Sequence, residues 1–140
     1  MAPSAGRRMF GFGPLMTLAA LAMTGLPVTS RAESGSNLTG SWSGGGWVAF
    51  ASGTKERARC RAYYSRAGGT SYRLSATCAT ASGKASQTAV VQQISANHFQ
   101  GSFHNNEYNV SGTIRIVVQG NSQSVSLAGD SGSASLHLSR

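Results

Sequence analysis

The chain has 140 residues, and its 12 lysines and arginines outnumber its 4 acidic residues to give a formal net charge of +8. Four carboxylates leave few possible members for paired-carboxylate catalysis. Two cysteines and 3 scattered histidines serve a metal site poorly, so we expect neither an enzyme nor a bound cofactor or metal.

Residues 1–32 have the features of an export signal. Two arginines in "RRMF" precede the apolar run "PLMTLAALAMTGLPV", and the small residue Ala32 precedes the expected cleavage site. The "RRMF" stretch resembles the twin-arginine export pattern, and the general secretory route stays open. The apolar run is too short and too interrupted to span a bilayer. We expect residues 33–140 to be a single small domain, periplasmic or secreted, with a net charge of +5 once the three arginines of the signal are removed.

The mature chain reads as all-β. No helical period is sustained after residue 33, whereas period-two alternation recurs in short runs separated by glycine, asparagine and serine. The predicted strands are Gly40 to Ala51, Glu56 to Arg66, Ser71 to Thr80, Ala85 to Ser95, His98 to His104, Tyr108 to Gln119, Ser122 to Ala128 and Ser133 to Ser139. Eight strands with short links predict an antiparallel up-and-down meander that closes as a barrel or flattens into a barrel-like sandwich. The alternation turns apolar side chains, including Leu74, Tyr108 and Ile114, inward and leaves a hydroxyl-rich outer face.

The first predicted strand begins with "GSWSGGGW", in which Trp42 follows Gly40 by two residues. This Gly-x-Trp opening resembles that of lipocalins, avidins and some small periplasmic inhibitors of metalloproteases. The resemblance implies that Trp42 closes one end of an eight-stranded barrel, and it transfers no ligand-binding residue to this chain. The glycine run that follows, Gly44 to Gly46, predicts a bend or a bulge in the strand.

The next two strands are predicted to form a hairpin closed by a disulfide. If the turn centres on Gly69, facing residue numbers sum to 138 and Cys60 lies opposite Cys78. An exported chain with two cysteines is expected to oxidise them to one bond. With seventeen residues between them, the closure should contribute on the order of 3 kcal/mol.

Arginines recur at every second position around Cys60, so the parity that turns this cysteine inward turns them outward. The predicted binding residues on this outer face are Arg57, Arg59, Arg61, Tyr63 and Arg73. Guanidinium groups pair with phosphates, sulfates and carboxylates, and only Glu56 mixes the sign of charge in this stretch. The alternative is a charged outer strand that keeps the sheet soluble and blocks strand-to-strand aggregation.

The segment "HFQGSFHNNEY" brings His98, His104 and Glu107 close in sequence. A metal or acid/base site is one interpretation, but the spacing matches no motif with a physical basis. We expect solvated histidines at the edges of turns.

The segment "GDSG" resembles the nucleophile motif of chymotrypsin-like serine proteases, with Ser131 in the position of the nucleophile. The resemblance covers four residues, and the chain is too short for the two barrels and the partner residues of that family. We expect instead a tight hairpin with Asp130 and Ser131 at its corner and Leu127 facing Ala134.

The sequence favours a non-enzymatic binding protein whose basic strand face engages an anionic polysaccharide, lipopolysaccharide or a protein partner. No nucleic-acid-binding motif accompanies the arginines, so nucleic acid is not expected. The alternatives are a lipocalin-like carrier of a small apolar ligand in the barrel interior and a periplasmic protease inhibitor. The whole mature chain also resembles a group of small exported bacterial all-β proteins with an "ERARCRA" strand and a "GDSGSASL" ending, a resemblance that implies no particular activity. The oligomeric state is left open.

Overall fold

The computed structural model describes Gly25 and residues 37–105 and 107–140. The predicted export signal, apart from Gly25, therefore lies outside the described residues. The described part of the chain forms strands β1 (Gly40–Phe50), β2 (Lys55–Arg66), β3 (Ser71–Thr80), β4 (Gly83–Ser95), β5 (His98–Asn105), β6 (Val110–Gln119), β7 (Ser122–Gly129) and β8 (Gly132–Ser139). Each boundary lies within two residues of its prediction, because turn residues interrupt the alternation at every strand end.

The strands form a closed antiparallel barrel. Each strand pairs with the next one along the chain, and β8 pairs back onto β1. This last pairing decides between the two predicted arrangements in favour of the barrel. Closure leaves no strand edge unpaired, so every strand of the sheet has two hydrogen-bonded neighbours. No helix in the described part of the chain is long and apolar enough to cross a membrane.

The β2–β3 register confirms the predicted disulfide. Cys60 lies opposite Cys78, and the two residues are joined by a disulfide with their Cα atoms 4.1 Å apart. Both side chains are buried on the inner face of the barrel. The bond therefore crosslinks neighbouring strands inside the core, and the arginines lie on the opposite, outer face of β2.

Tyr108 is a correction to the predicted core. Its side chain is 62% exposed, and it lies in the β5–β6 turn, because β6 begins only at Val110. The side-chain oxygen of Asn105 accepts hydrogen bonds from the backbone N–H groups of Glu107 and Tyr108. The turn then continues through Asn109, which has a left-handed φ of 54°. The sequence alternates through Tyr108 as it does in a strand, but Asn105 holds this residue in a turn, so the predicted inward position was wrong.

The glycine run in β1 lies where this strand and β8 approach each other closely. Pairing with β2 and with β8 continues through Gly44 and Gly46 without a shift of register, which excludes a bulge. A Cβ atom at either position would overlap a backbone carbonyl oxygen of β8. The two strands therefore approach each other more closely than side chains would allow, which explains the glycines at these positions.

One end of the barrel is closed by aromatic side chains. Trp42 is 1% exposed, and its indole N–H donates a hydrogen bond of 2.9 Å to the carbonyl oxygen of Leu38. The guanidinium group of Arg140 lies 4.4 Å from the centre of the Trp42 ring. Beside them, the Tyr64 hydroxyl donates a hydrogen bond of 2.7 Å to the side-chain oxygen of Gln123. The expectation that Trp42 closes one end is confirmed.

The "GDSG" segment is the β7–β8 hairpin. Gly129 pairs with Gly132, and Leu127 pairs with Ala134, as the hairpin prediction required. Asp130 and an exposed Ser131 form the corner of the turn. The motif therefore has a complete structural explanation at the open end of the barrel.

Candidate functional site

The end of the barrel opposite Trp42 is open. The turns that follow β1, β3, β5 and β7 surround it, since alternate turns of an up-and-down barrel lie at the same end. Within this ring of turns a cavity of about 610 Å³ reaches down to Cys78, Phe103 and Leu127. Below that level lies a much smaller void of about 20 Å³, among core side chains such as Ala62, Leu74 and Ile114.

The cavity exists because inward side chains change size along the barrel. The inward side chains nearest the closed end are large and include Trp42, Tyr64, Tyr72, Phe99, Ile116 and Val118. Toward the open end several inward positions are small and include Gly46, Ala58, Ala85, Gly112 and Ala134. An eight-stranded barrel is just wide enough for side chains to fill, so small residues in one half leave that half hollow.

The cavity wall is largely apolar. Its floor and sides are formed by side chains such as Phe50, Phe103, Val110 and Leu127. The polar side chains among the described residues of the lining are Ser52, Thr54, Glu56, Thr80, Ser82, Gln87, Asn105, Tyr108, Ser131 and Ser133. Many of these belong to the turns at the mouth, so the wall becomes more polar toward solvent. Such a gradient suits a ligand with an apolar body and a polar end.

Glu56 points into this cavity, which corrects its assignment to the arginine face. It has the same strand parity as Ala58 and Cys60, both buried, and it pairs with Val48 on β1. The hydroxyl of Ser82 donates a hydrogen bond of 2.5 Å to Glu56 Oε1. Glu56 Oε2 is buried and has no hydrogen-bond partner among the described residues. The outer face of β2 therefore carries no carboxylate of its own.

The predicted basic residues lie on the outer face, as their parity required. Arg57, Arg59, Arg61, Tyr63 and Arg73 are all exposed. The first three arginines follow one another along β2, whereas Arg73 pairs with Ser65 nearer the closed end. Consecutive outward arginines are spaced by roughly 7 Å, two residues of an extended strand. The structure thus assembles a row of three arginines and places Arg73 beyond it.

Trp47 and Lys84, which were not predicted as part of this surface, also lie on the outer face near the arginines. Trp47 pairs with Arg57, and the guanidinium group lies 5.2 Å from the centre of the exposed indole ring. Lys84 pairs with Ala79, which in turn pairs with Arg59. The sequence did hold a signal for Lys84. Counting back from the tight β3–β4 turn aligns Lys84 with Ala79, and the β2–β3 register places Ala79 opposite Arg59. The basic row is therefore wider than one strand.

Arg66, the remaining arginine of β2, has a different environment from this row. It lies at the end of β2 nearest the closed end, with its guanidinium group 5.4 Å from the centre of the Tyr72 ring. It also donates hydrogen bonds to the carbonyl oxygen of Gly69 and to the hydroxyl of Tyr72. Its contacts are those of a residue that holds the β2–β3 turn against the barrel.

The two predicted turn histidines, His98 and His104, lie near opposite ends of β5. His98 begins β5 and is exposed, whereas His104 lies near the other end of β5 with its Nδ1 atom 2.9 Å from the Ser111 hydroxyl. His104 thus lies at the edge of a turn as expected, although it is half-buried and contacts Ser111 on the neighbouring strand. Within residues 37–105 and 107–140, no cluster of three histidine, cysteine or acidic side chains could hold a metal ion.

Comparison with known proteins gives a fold but no family. No protein-family model matches the chain, and no curated protein matches it. Similar solved structures include a redesigned β-barrel, mFAP1, bound to DFHBI, with a TM-score of 0.63 and 10% identity over 74% of this chain and 94% of that one. They also include the redesigned barrel mFAP0 bound to DFHBI, with a TM-score of 0.62 and 11% identity over 74% of this chain and 98% of that one.

A third similar structure is a de novo designed fluorescence-activating β-barrel, with a TM-score of 0.57 and 12% identity over 73% of this chain and 92% of that one. All three are designed barrels, so the Gly-x-Trp resemblance is supported only as far as a shared barrel. At such low identities the likeness shows the fold alone, and function has to be argued from the site.

Proposed function

We propose that the protein, exported to the periplasm or secreted, binds a small and largely apolar molecule in the open end of its barrel. The observation that carries this proposal is the cavity of about 610 Å³, with its floor at Phe103 and Leu127. This volume lies within the roughly 300–1,000 Å³ that is usual for small-molecule sites. The similar barrels mFAP1 and mFAP0 are each bound to DFHBI, so barrels of this architecture accommodate a small molecule.

The two ends of the barrel support this proposal together. The closed end holds large side chains in a dense core, which stabilises the barrel without the other half. The open half can then leave its apolar wall free for a ligand, whose burial contributes about 25 cal/mol per Å² of apolar surface. The cavity is our reason for proposing the carrier function, the alternative that the sequence offered, ahead of binding on the basic face.

The test is binding of Nile red, a neutral fluorophore, to the oxidised mature protein. Ala134 points inward and lines the cavity, so Ala134→Trp should fill the space and weaken binding by at least about tenfold. Ala128 pairs with Ser133 on the neighbouring strand and is exposed, so Ala128→Trp is the matched control and should bind like the wild type. Should Ala134→Trp fail to fold, Ala134→Leu removes less of the space and should still weaken binding.

Absence of Nile red binding by the folded wild type would refute the proposal. Equal binding by the two tryptophan variants would also refute it, because the dye would then bind elsewhere.

A second candidate function is the one that the sequence favoured, binding of an anionic envelope component on the basic face. The specific observation in its favour is the exposed Trp47 ring with Arg57 above it, together with Lys84 on β4, which is separated from Arg59 by Ala79 of β3. An aromatic ring and several guanidinium groups on one surface suit a sulfated or phosphorylated sugar.

This second function is tested by binding to lipopolysaccharide and to a sulfated polysaccharide at low and near-physiological salt. The variant Arg57→Ser, Arg59→Ser, Arg61→Ser should lose binding that the wild type retains at physiological salt. The matched control compares two single variants, Arg59→Ser and Arg115→Ser. Arg115 is also exposed, but its strand partners, Gln100 and Ser126, are uncharged. Equal losses from these two single variants would indicate a general charge effect and refute a site.

A further inference from the structure

We propose that the cavity selects an apolar ligand carrying a protonated amine, with Glu56 as the residue that binds the ammonium group. This inference rests on the proposed function and specifies its ligand class. Glu56 is the one charged side chain among the described residues that line the cavity. Its carboxylate is therefore the strongest electrostatic feature inside the barrel.

The geometry leaves one carboxylate oxygen for a ligand. Ser82, in the β3–β4 turn, donates its hydroxyl hydrogen to Glu56 Oε1 and so fixes the orientation of the group. Oε2 is buried without a hydrogen-bond partner among the described residues. A buried carboxylate oxygen without a donor is costly, so the site favours a molecule that supplies one. An ammonium group supplies both the hydrogen bond and the opposite charge.

The position of Glu56 in the cavity also fits an elongated molecule. Glu56 pairs with Val48 and lies toward the mouth, whereas the floor at Phe103 and Leu127 is apolar. An alkyl or aromatic body would occupy the floor while its ammonium group reaches Glu56 nearer the mouth. The cationic side chains of β2 do not oppose this arrangement within the cavity, because Arg57 and Arg59 leave the strand on its outer face.

A purely structural role for Glu56 makes a different prediction. In that case the carboxylate would serve only to hold the β3–β4 turn through Ser82. The neutral amide of glutamine could accept the same hydrogen bond, and the charge would have no effect on which ligand binds. The two roles are therefore separated by the charge preference of the cavity.

The experiment compares three probes of equal chain length, octylamine as its cation, 1-octanol and octanoate, in displacing Nile red at neutral pH. The wild type should bind the octylammonium ion at least about tenfold more tightly than 1-octanol, and octanoate most weakly. Glu56→Gln should lose this preference while its affinity for 1-octanol stays within about twofold of the wild type. Ser82→Ala removes the hydrogen bond but keeps the charge, so it should keep the preference.

Glu107→Gln is the matched control for long-range charge. Glu107 is exposed in the β5–β6 turn at the same end of the barrel and does not line the cavity. Removing its charge should leave the preference for the cation unchanged. An equal loss in Glu56→Gln and Glu107→Gln would mean that the general field at the mouth, and not contact with Glu56, attracts the probe.

The outcomes separate the inference from the proposed function. If Nile red binds the cavity but the three probes displace it equally well, the ligand class is wrong and the carrier function stands. A preference for the cation that persists in Glu56→Gln would overturn the role of Glu56. If neither Nile red nor any probe binds the folded wild type, both the carrier function and the inference fail.

Discussion

The hydrogen bond between Tyr64 and Gln123 should be a main determinant of stability at the closed end of the barrel. Tyr64 is 0% exposed, Gln123 is 2% exposed, and the hydroxyl donates to the amide oxygen at 2.7 Å. The Nε2 atom of Gln123 already has no partner among the described residues. Among the described residues, the Tyr64 hydroxyl is the one hydrogen-bond partner of the Gln123 side chain, so Tyr64→Phe would leave both polar atoms of that buried amide unpaired.

The magnitude follows from this geometry. Leaving a buried polar group without its partner costs about 1–3 kcal/mol, so we expect Tyr64→Phe to lower the free energy of unfolding by about 2 kcal/mol. For a domain of this size, that loss corresponds to a thermal midpoint lower by on the order of 10 °C. Adding Gln123→Leu removes the stranded amide, so the double variant should be more stable than Tyr64→Phe alone.

The same bond predicts a dependence on alkaline pH. Burial raises the pKa of the Tyr64 hydroxyl above its ordinary value of about 10. The unfolded chain therefore ionises this group at a lower pH than the native protein does. The corresponding stability is complete below about pH 10 and declines as the pH rises toward the native pKa, by about 1.4 kcal/mol at pH 11. The phenylalanine variant lacks this component of the decline.

The assay is urea denaturation of the oxidised protein, followed by circular dichroism between neutral pH and pH 11. Tyr63→Phe is the matched control, because Tyr63 is the neighbouring residue and its ring is 55% exposed on the outer face. It should change the stability at neutral pH by less than about 0.5 kcal/mol. If Tyr64→Phe is as stable as Tyr63→Phe at neutral pH, or declines as steeply as the wild type above pH 10, the reasoning about this buried pair is wrong.

Three further predictions concern the barrel itself. Replacing Cys60 and Cys78 with serine should lower the free energy of unfolding by about 3 kcal/mol, measured against the wild type with and without reductant. Gly101→Ala should lower the free energy of unfolding in urea by about 2 kcal/mol, because the new Cβ would overlap the carbonyl oxygen of Val90 on β4. Ser102→Ala, at the neighbouring exposed position, is the control and should change this free energy little. Arg140→Gln should lower the thermal stability by about 0.5–1 kcal/mol through loss of the cation–π contact with Trp42, and an unchanged midpoint would contradict that contribution.

The local pattern of the sequence was enough to predict the positions of the strands and the register of one hairpin, β2–β3. Period-two alternation is a property of neighbouring residues, so strand positions could be predicted to within two residues. The Cys60–Cys78 pairing followed from counting outward from the short turn at Gly69, because a hairpin register depends on its turn alone. The outward direction of Arg59 and Arg61 then followed from the buried Cys60 between them, and that of Arg57 from the same parity.

Tyr108, Glu56 and Lys84 were wrongly placed or missed for three different reasons. Tyr108 continued the pattern of β6 but lies in a turn held by the side chain of Asn105, an interaction that strand periodicity does not register. Glu56 was assigned to the outer face by its charge, although its parity with Cys60 already indicated the inner one. Lys84 was missed because its neighbours on β2 are reached only through the register of a third strand.

The sequence by itself determined an all-β domain, its strand order, its disulfide and the side of β2 on which the arginines lie, because each of these depends on residues within one or two hairpins. Only the tertiary structure decided that β8 returns to β1, since the pairing of Gly44 with Leu138 joins opposite ends of the domain. Closure also decided which inward residues face one another across the interior. A cavity depends on those facing volumes, so the hollow end and the carboxylate of Glu56 inside it emerge only when the barrel is complete.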